Sequence, residues 1–365
     1  MLKNITVLVS AAGSPTMPGQ LNCYRANGER NIRVVGVDMS DEPSAKYMVD
    51  AFYQVPAATD SRYCDIILDI CEKEKVDVYF PNISAEVSAV VARQDDFSRI
   101  GTMISVADPK AVEIANNKLK TYEFLRSRGI PVPQFYGVHS VQDFIDGCEI
   151  MGYPSKPVCL KIVDNSGSRG VRIIDAKRDR YQIFAHEKPN SFFTSYDDML
   201  SILMSTDHLD EMMLVEYMPG NEYTVDLLAD HGKVLYMAGR ENVVSMMSIA
   251  QESIVAKIDS AYETSTAIVE ALKLDGNIGF DFMKNAEGVP VLMDINPRIT
   301  ATVSVIAAAG LNLPYLRIKQ LLGESLPECH IDYGTRLKRR YGEAYTNSKG
   351  NIVNLGYDQN KRIML

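Results

Sequence analysis

The stretch from Asp275 to Thr300, DGNIGFDFMKNAEGVPVLMDINPRIT, admits few folds. Ile278, Phe280 and Phe282 alternate with Gly279, Asp281 and Met283, and Val289, Val291 and Met293 alternate on a returning segment. A period of two predicts a β-hairpin, with Asn285, Glu287 and Gly288 at its turn. Asp281 and Asp294 then fall on neighbouring strands, with Asn296 two residues beyond. Pointing the same way, the three form a cluster of oxygen ligands. Hard divalent cations such as Mg²⁺ take such ligands and keep room for water and substrate phosphates. Arg298 follows within reach of the same phosphates. Acids on otherwise apolar strands are costly unless something neutralises them. The plainer alternative is an Asp pair near a turn that simply faces water.

A chain of 365 residues exceeds one ordinary core, so two or three domains are expected. With 46% hydrophobic and 23% charged residues, it has the make-up of an ordinary globular protein. A net charge of −9 argues against nucleic-acid or anionic-membrane partners, which need a basic surface. The one basic run, Arg336 to Arg340, reads best as a solvated strand face. Cys23, Cys64, Cys71, Cys148, Cys159 and Cys329 form no CxxC pair, which suits reduced thiols in a cytoplasmic protein. No apolar run approaches the roughly 20 residues of a membrane span. The start, MLKNITVLVSAAG, reads as a first strand rather than a signal peptide.

Strands at 4–9, 32–37 and 76–80 alternate with helices near 20–26, 62–73 and 85–93. This order predicts a parallel sheet with right-handed crossovers. Gly13 after the first strand and Asp38 after the second invite a dinucleotide site. The glycines do not follow GxGxxG, however, so a tight strand–helix turn is preferred. Asp108-Pro109 opens a helical region running to Arg128, where Gly129, Pro131 and Pro133 end it. A strand at 157–163 precedes the loop 164–170 and a return strand at 171–174. Gly167 and Gly170 free the backbone to turn N–H groups toward an anion, Ser166 and Ser168 add hydroxyls, and Arg169 adds charge. Lys161 interrupts the apolar strand and needs an anionic partner. Alternatively, this is an exposed Gly/Ser hairpin with a snorkelling lysine. Residues 213–215 lead into Glu216-Tyr217-Met218-Pro219-Gly220-Asn221-Glu222, and 223–228 pairs with 233–238 around Asp230-His231-Gly232.

The order of these motifs resembles the ATP-grasp superfamily, in the branch similar to the carbamoyl-phosphate synthetase large subunit and carboxylate–amine ligases. The motifs are Lys118 at a helix start, the Lys161 strand with its SGSRGV loop, the hinge LVEYMPGNEYTVD and the closing DINPR. The resemblance covers about residues 1–325 and implies an α/β fold. A Rossmann-like parallel-sheet pre-ATP-grasp domain (1–112) would precede an ATP-grasp α+β domain of two subdomains (113–212 and 213–328). Residues 329–365 would form an extension packed on it as strands.

The resemblance also implies residue roles. Lys118 and Lys161 would hold ATP phosphates, and the loop carrying Ser166, Gly167, Ser168 and Gly170 would close over them. Glu216, Tyr217 and Met218 would meet the adenine, and Glu222 the ribose. Asp281, Asp294 and Asn296 would bind Mg²⁺, with Mn²⁺ as a substitute. Arg298 and Arg240, with Lys161, would steady the transferred phosphate. Phosphoryl transfer needs charge neutralisation and alignment more than covalent chemistry from the protein, which such a set supplies.

The sequence departs from the family pattern at two places. The bridging acid, usually Glu, is Asp294. Between Arg240 and Lys257 no basic residue occurs, unlike in biotin carboxylase-like members. The implied activity is an ATP-dependent ligase that joins a small-molecule carboxylate to an amine, with a homodimer as one assembly. Three alternatives stay open: a nucleotide-binding regulatory protein of weak activity, a carbamoyl-phosphate-synthetase-like phosphorylating subunit, and a Rossmann-type oxidoreductase.

Overall fold

The computed structural model describes residues 2–165, 167, 169–188, 191–246, 249–340, 345–348 and 352–353. Near-continuous apolar runs build the first sheet. β1 (Ile5–Val9), β2 (Ile32–Asp38), β3 (Ala51–Gln54), β4 (Val78–Phe80) and β5 (Met103–Ile104) pair in the order β3-β2-β1-β4-β5, all parallel. Val7, Leu8 and Val9 are fully buried because helices cover both faces of the sheet. β3 and β5 lie at the edges and are too short for a hydrophobic period to reveal.

The helical stretch expected from 109 to 128 is two helices, Pro109–Ala115 and Lys118–Ser127. Asn117 adopts an extended backbone, and its side chain accepts from Lys120 N, capping the second helix. This cap puts Lys118 at a helix start.

The second sheet has the order β6-β10-β7-β8-β9, from β6 (Phe135–Val138), β7 (Val158–Ile162), β8 (Val171–Ile174), β9 (Phe193–Thr194) and β10 (Met212–Glu216). β10 lies between β6 and β7, so the strand that opens residues 213–328 pairs within this sheet. The polar segment 176–211, which carries no plain period, holds β9 and the helices Arg180–His186 and Tyr196–Leu203. This sheet has a core of its own, including Phe144, Leu160 and Leu214. A small cluster of Leu119, Tyr122, Val163, Met213 and Val215, packed on Met293, joins it to the third sheet.

The third sheet is antiparallel, in the order β15-β14-β11-β12-β13-β16. It uses β11 (Glu222–Asp230), β12 (Lys233–Met246), β13 (Ile249–Val255), β14 (Gly276–Lys284), β15 (Pro290–Asn296) and β16 (Arg336–Lys338). Strict alternation separates its two faces. Tyr223, Val225, Leu227, Ile278, Phe280 and Phe282 are buried in one core with Ile268 and Val269 of the helix Asp259–Leu272. The opposite face carries Glu222, Thr224, Asp226, Arg240, Asn242 and Asp281. Further along that face, Leu228 and Ala238 are apolar and share a core with Ile306 and Leu316. The helices Ser304–Ala308 and Leu313–Leu321, which carry those two residues, also bury Met17 and Leu21 of the first domain's leading helix. Buried Arg317 fastens this junction, holding Asp275 at 2.7 Å and donating to Ser105 Oγ at 3.3 Å.

The apolar face depends on Gly239. Tyr223 Oη donates to the Ala256 carbonyl at 2.8 Å and accepts from Ile258 N at 3.1 Å. A Cβ on Gly239 would overlap that oxygen and come within 2.8 Å of the Ala256 carbonyl oxygen. Gly239→Ala is therefore expected to destabilise the protein by about 1–3 kcal/mol, the usual range for an overpacked core. The effect would be read as a lowered midpoint in denaturant unfolding. An unchanged midpoint would show that Tyr223 shifts without cost.

Candidate active site

The expected hairpin forms, and Asp281 on β14 lies directly opposite Asp294 on β15. A bulge between Asp281 and Phe282 resets the register there. Asn296 Nδ2 donates to Asp281 Oδ2 at 2.9 Å. Asn296 Oδ1 accepts from Arg298 Nη2 at 3.0 Å, and Arg298 Nη1 donates to the Ile299 carbonyl at 3.1 Å. Arg298 Nε is buried and has no partner among the described residues. A buried donor of this kind is an unmet demand for an acceptor.

Lys118 and Lys161 reach the same place from the second sheet and the helix before it. Lys118 Nζ donates to the Asn165 carbonyl at 2.8 Å and stands 3.5 Å from Asp294 Oδ2. Lys161, on β7, is 9% exposed. Burial pulls its ammonium below the usual lysine range; Lys118 adds to the fall, while Cys159 and Asp294 oppose it. Glu222 leads β11, and burial raises its carboxyl while Arg240 draws it back down. Glu216 ends β10, with its N–H donated to the Gln134 carbonyl at 3.0 Å. Met218 is buried, and Tyr217 meets Phe193 edge-on at 6.1 Å between ring centres. Of the loop residues, Gly167 (φ +66°) and Gly170 (φ +69°) take the left-handed conformation that favours glycine. Ser166 and Ser168 lie outside the described residues.

Arg240 stands apart from its expected part. It is 3% exposed, and Nε donates to Asp226 Oδ2 at 2.9 Å. Nη1 donates to Asn242 Oδ1, and Nη2 lies 3.5 Å from Thr300 Oγ1. Its hydrogen bonds are made within the sheet face. Thr224, Asp226 and Asn242 carry no role in the reading of the sequence. The signal was present: in Glu222-Tyr223-Thr224-Val225-Asp226 the polar residues alternate with the core residues. Asp38 is occupied as well. Gly13 N donates to Oδ2 at 2.7 Å and Ser40 N to Oδ1 at 2.9 Å, so its own turn uses both oxygens a nucleotide ribose would need. A second acidic cluster, Asp230, His231 and Asp275, is not comparable, because Arg317 grips both oxygens of Asp275 at 3.2 and 2.7 Å.

Three carboxylates in one half-buried place repel each other. The Asp281 carboxyl is pushed up to about 7, first by burial and then by the Glu222 and Asp294 charges; Arg240 and the Thr224 hydroxyl pull it back. A divalent cation would relieve this strain, and the donor set suits a hard one. Without metal, protonated Asp281 favours the fold. Its contribution is complete below the ordinary value of 3.8 and is lost as pH rises through about 7. In EDTA, the melting temperature of Asp281→Asn is therefore expected to gain on that of the parent protein as pH rises from 4 to 7. Parallel pH profiles would refute the assignment.

Comparison with known proteins agrees with this arrangement. Residues 208–340 match the profile described as ATP-grasp in the biosynthetic pathway with Ter operon, and residues 19–105 match the PylC-like N-terminal domain. The chain is similar to the carbamoyl phosphate synthase large chain of Clostridium acetobutylicum, 22% identical over 77% of this chain and 25% of that one. It is 26% identical to the large chain of Thermoplasma acidophilum, over 68% of this chain and 23% of that one. The chain thus spans about a quarter of the length of these relatives. In fold it is similar to biotin carboxylase from Campylobacter jejuni in a β,γ-ATP complex, with TM-score 0.66, 17% identity, and 89% of this chain and 73% of that one covered. It is also similar to N5-carboxyaminoimidazole synthetase from Staphylococcus aureus complexed with ADP, with TM-score 0.65, 17% identity, and 90% and 81% covered. Parallel sheet, two further sheets and facing lysines and carboxylates go together with these matches: residues 208–340 resemble an ATP-grasp family, and the fold is that of the biotin carboxylase and N5-carboxyaminoimidazole synthetase structures.

Proposed function

We propose that this chain is an ATP- and Mg²⁺-dependent ligase that activates a carboxylate as an acyl-phosphate and joins it to an amine. The observation that carries this reading is the meeting of Asp281, Asp294 and Asn296 with Lys118 and Lys161 in one place. Residues 1–112 would be the pre-ATP-grasp domain, 113–212 the lid, 213–328 the catalytic subdomain, and 329–365 an extension on it. The six cysteines are unpaired and five are buried, which suits a reducing cytoplasm. No described helix is long and apolar enough to cross a membrane.

Asp281, Asp294 and Asn296 would hold Mg²⁺, with Mn²⁺ able to substitute. The metal supplies charge neutralisation for the phosphates. Lys118, Lys161 and the glycine loop would bind those phosphates, and the unmet Arg298 Nε suits an oxygen of the transferred group. Glu216 to Met218 would line the adenine, and Glu222 would take a ribose hydroxyl. The carboxylate oxygen attacks the terminal phosphorus and ADP leaves. The amine then attacks the acyl carbon, phosphate leaves, and the amine loses a proton. Exclusion of water by the glycine loop closing over the phosphates would protect the acyl-phosphate. A regulatory nucleotide-binding role draws on Asp294, one carbon shorter than the family's usual acid.

MgATP is expected to raise the melting temperature; saturation at a hundredfold above Kd corresponds to about 2.7 kcal/mol. ADP release over pooled carboxylates and amines should identify a substrate pair, and Asp294→Ala should abolish that release. Undiminished turnover in Asp294→Ala would refute the metal assignment. Bound ATP without ADP formed from any pool would favour the regulatory role.

A further inference from the structure

Five hydrogen bonds run in sequence across the polar face of the third sheet. Thr300 Oγ1 donates to Asp226 Oδ1. Arg240 Nε donates to Asp226 Oδ2 at 2.9 Å, and Arg240 Nη1 to Asn242 Oδ1. Asn242 Nδ2 donates to Thr224 Oγ1 at 3.2 Å, and Thr224 Oγ1 donates to Asp281 Oδ1 at 2.8 Å. The direction of each bond is fixed by its neighbour. Asn242 must offer its oxygen to Arg240, which leaves its amide hydrogens for Thr224. The threonine hydroxyl, having accepted, has its one hydrogen left for Asp281. Asp281 Oδ1 is thus held as an acceptor, while Asn296 holds Oδ2.

All intermediate members are buried: Thr224 is 0% exposed, Asp226 2%, Arg240 3% and Asn242 5%. Cross-strand pairing of Thr224 with both Asp281 and Arg240, and of Glu222 with Asn242, sets the chain in register. At its far end Thr300 lies over Gly279, where any Cβ would overlap the threonine methyl. The turn that follows Arg298 is therefore seated by the same network.

We infer that Arg240 and Asp226 form a positioning pair, which orients the metal-binding Asp281 through Asn242 and Thr224 and seats the Arg298 turn through Thr300, rather than a phosphate grip. The inference rests on the nucleotide-and-metal reading above. A guanidinium already committed to Asp226 and Asn242 has little left for a phosphate. Its removal should be felt at the metal instead, since partners standing behind metal ligands tune affinity by about 10–100-fold.

The test uses the full chain and two probes: Mg²⁺ titrated at fixed ATP, and ATP titrated in EDTA. The variants are Asp226→Asn, the charge-balanced double Asp226→Asn/Arg240→Met, and the near-isosteric Thr224→Val, each checked for a folded near-ultraviolet signature. Positioning predicts that all three weaken Mg²⁺ binding by about tenfold or more. Metal-free ATP binding should stay within about twofold, and the double variant should lose little more Mg²⁺ affinity than Asp226→Asn alone, as for groups in one network. A phosphate grip predicts that the double variant loses metal-free and metal-bound ATP affinity by the same factor. It also predicts that Asp226→Asn binds ATP as well as, or better than, the parent. That pattern, or unaltered Mg²⁺ binding in Thr224→Val, overturns the inference. If the parent protein binds neither ATP nor Mg²⁺, the functional reading falls, and the positioning role with it.

Discussion

Glu222, Asp281 and Asp294 are drawn to one face of an antiparallel sheet by strand register alone. The repulsion among them governs what surrounds the cleft. Burial adds to it, because a carboxylate removed from water loses solvation that only a cation or a donor can replace. The surrounding residues answer this demand from three directions. Lys118 comes from a helix start, Lys161 from a strand of another sheet, and Arg298 from the turn just past the hairpin. Thr224 and Asn296 supply a hydrogen bond to each oxygen of Asp281. The Asp294 charge acts on both Lys161 and Asp281, holding the lysine's ammonium up against burial and raising the Asp281 carboxyl further.

Much of this was legible in the sequence because it is carried by strict periods and strong breakers. The hairpin from Gly276 to Asn296 follows from alternation, and the parallel sheet from apolar runs separated by helices. The hinge and the DINPR segment carried the resemblance to ATP-grasp proteins on few residues, and both lie within the 208–340 match. Where the period is weak, the reading faltered. The two short edge strands of the first sheet and the helices within 176–211 carry too few periodic positions. The break between the helices at 109–115 and 118–127 depends on one asparagine turning its backbone extended, which a continuous helical composition conceals.

The site was legible by residue but not by role. Lys118, Lys161, Asp281, Asp294 and Asn296 do meet, as a resemblance in motif order implied. Arg240 was harder to place, since the resemblance alone implied that it would steady a phosphate. Its partner Asp226 lies on the next strand, and only the register of β11 against β12 shows the two side by side. Polar residues alternating with Tyr223, Val225 and Leu227 were visible as a pattern, yet alternation says which face a residue takes, not which neighbour it bonds.

The phenol oxygen of Tyr122 lies against the main chain of β15. It donates to the carbonyls of Leu292 and Met293, at 3.2 and 3.0 Å, immediately ahead of Asp294. The helix that carries it begins with Lys118 and packs with strands of the second sheet. A turn of that sheet about its small shared cluster would therefore act on the main chain next to Asp294, as a lever acts beside its fulcrum. The second sheet and the height of Asp294 are thus joined through one tyrosine hydroxyl.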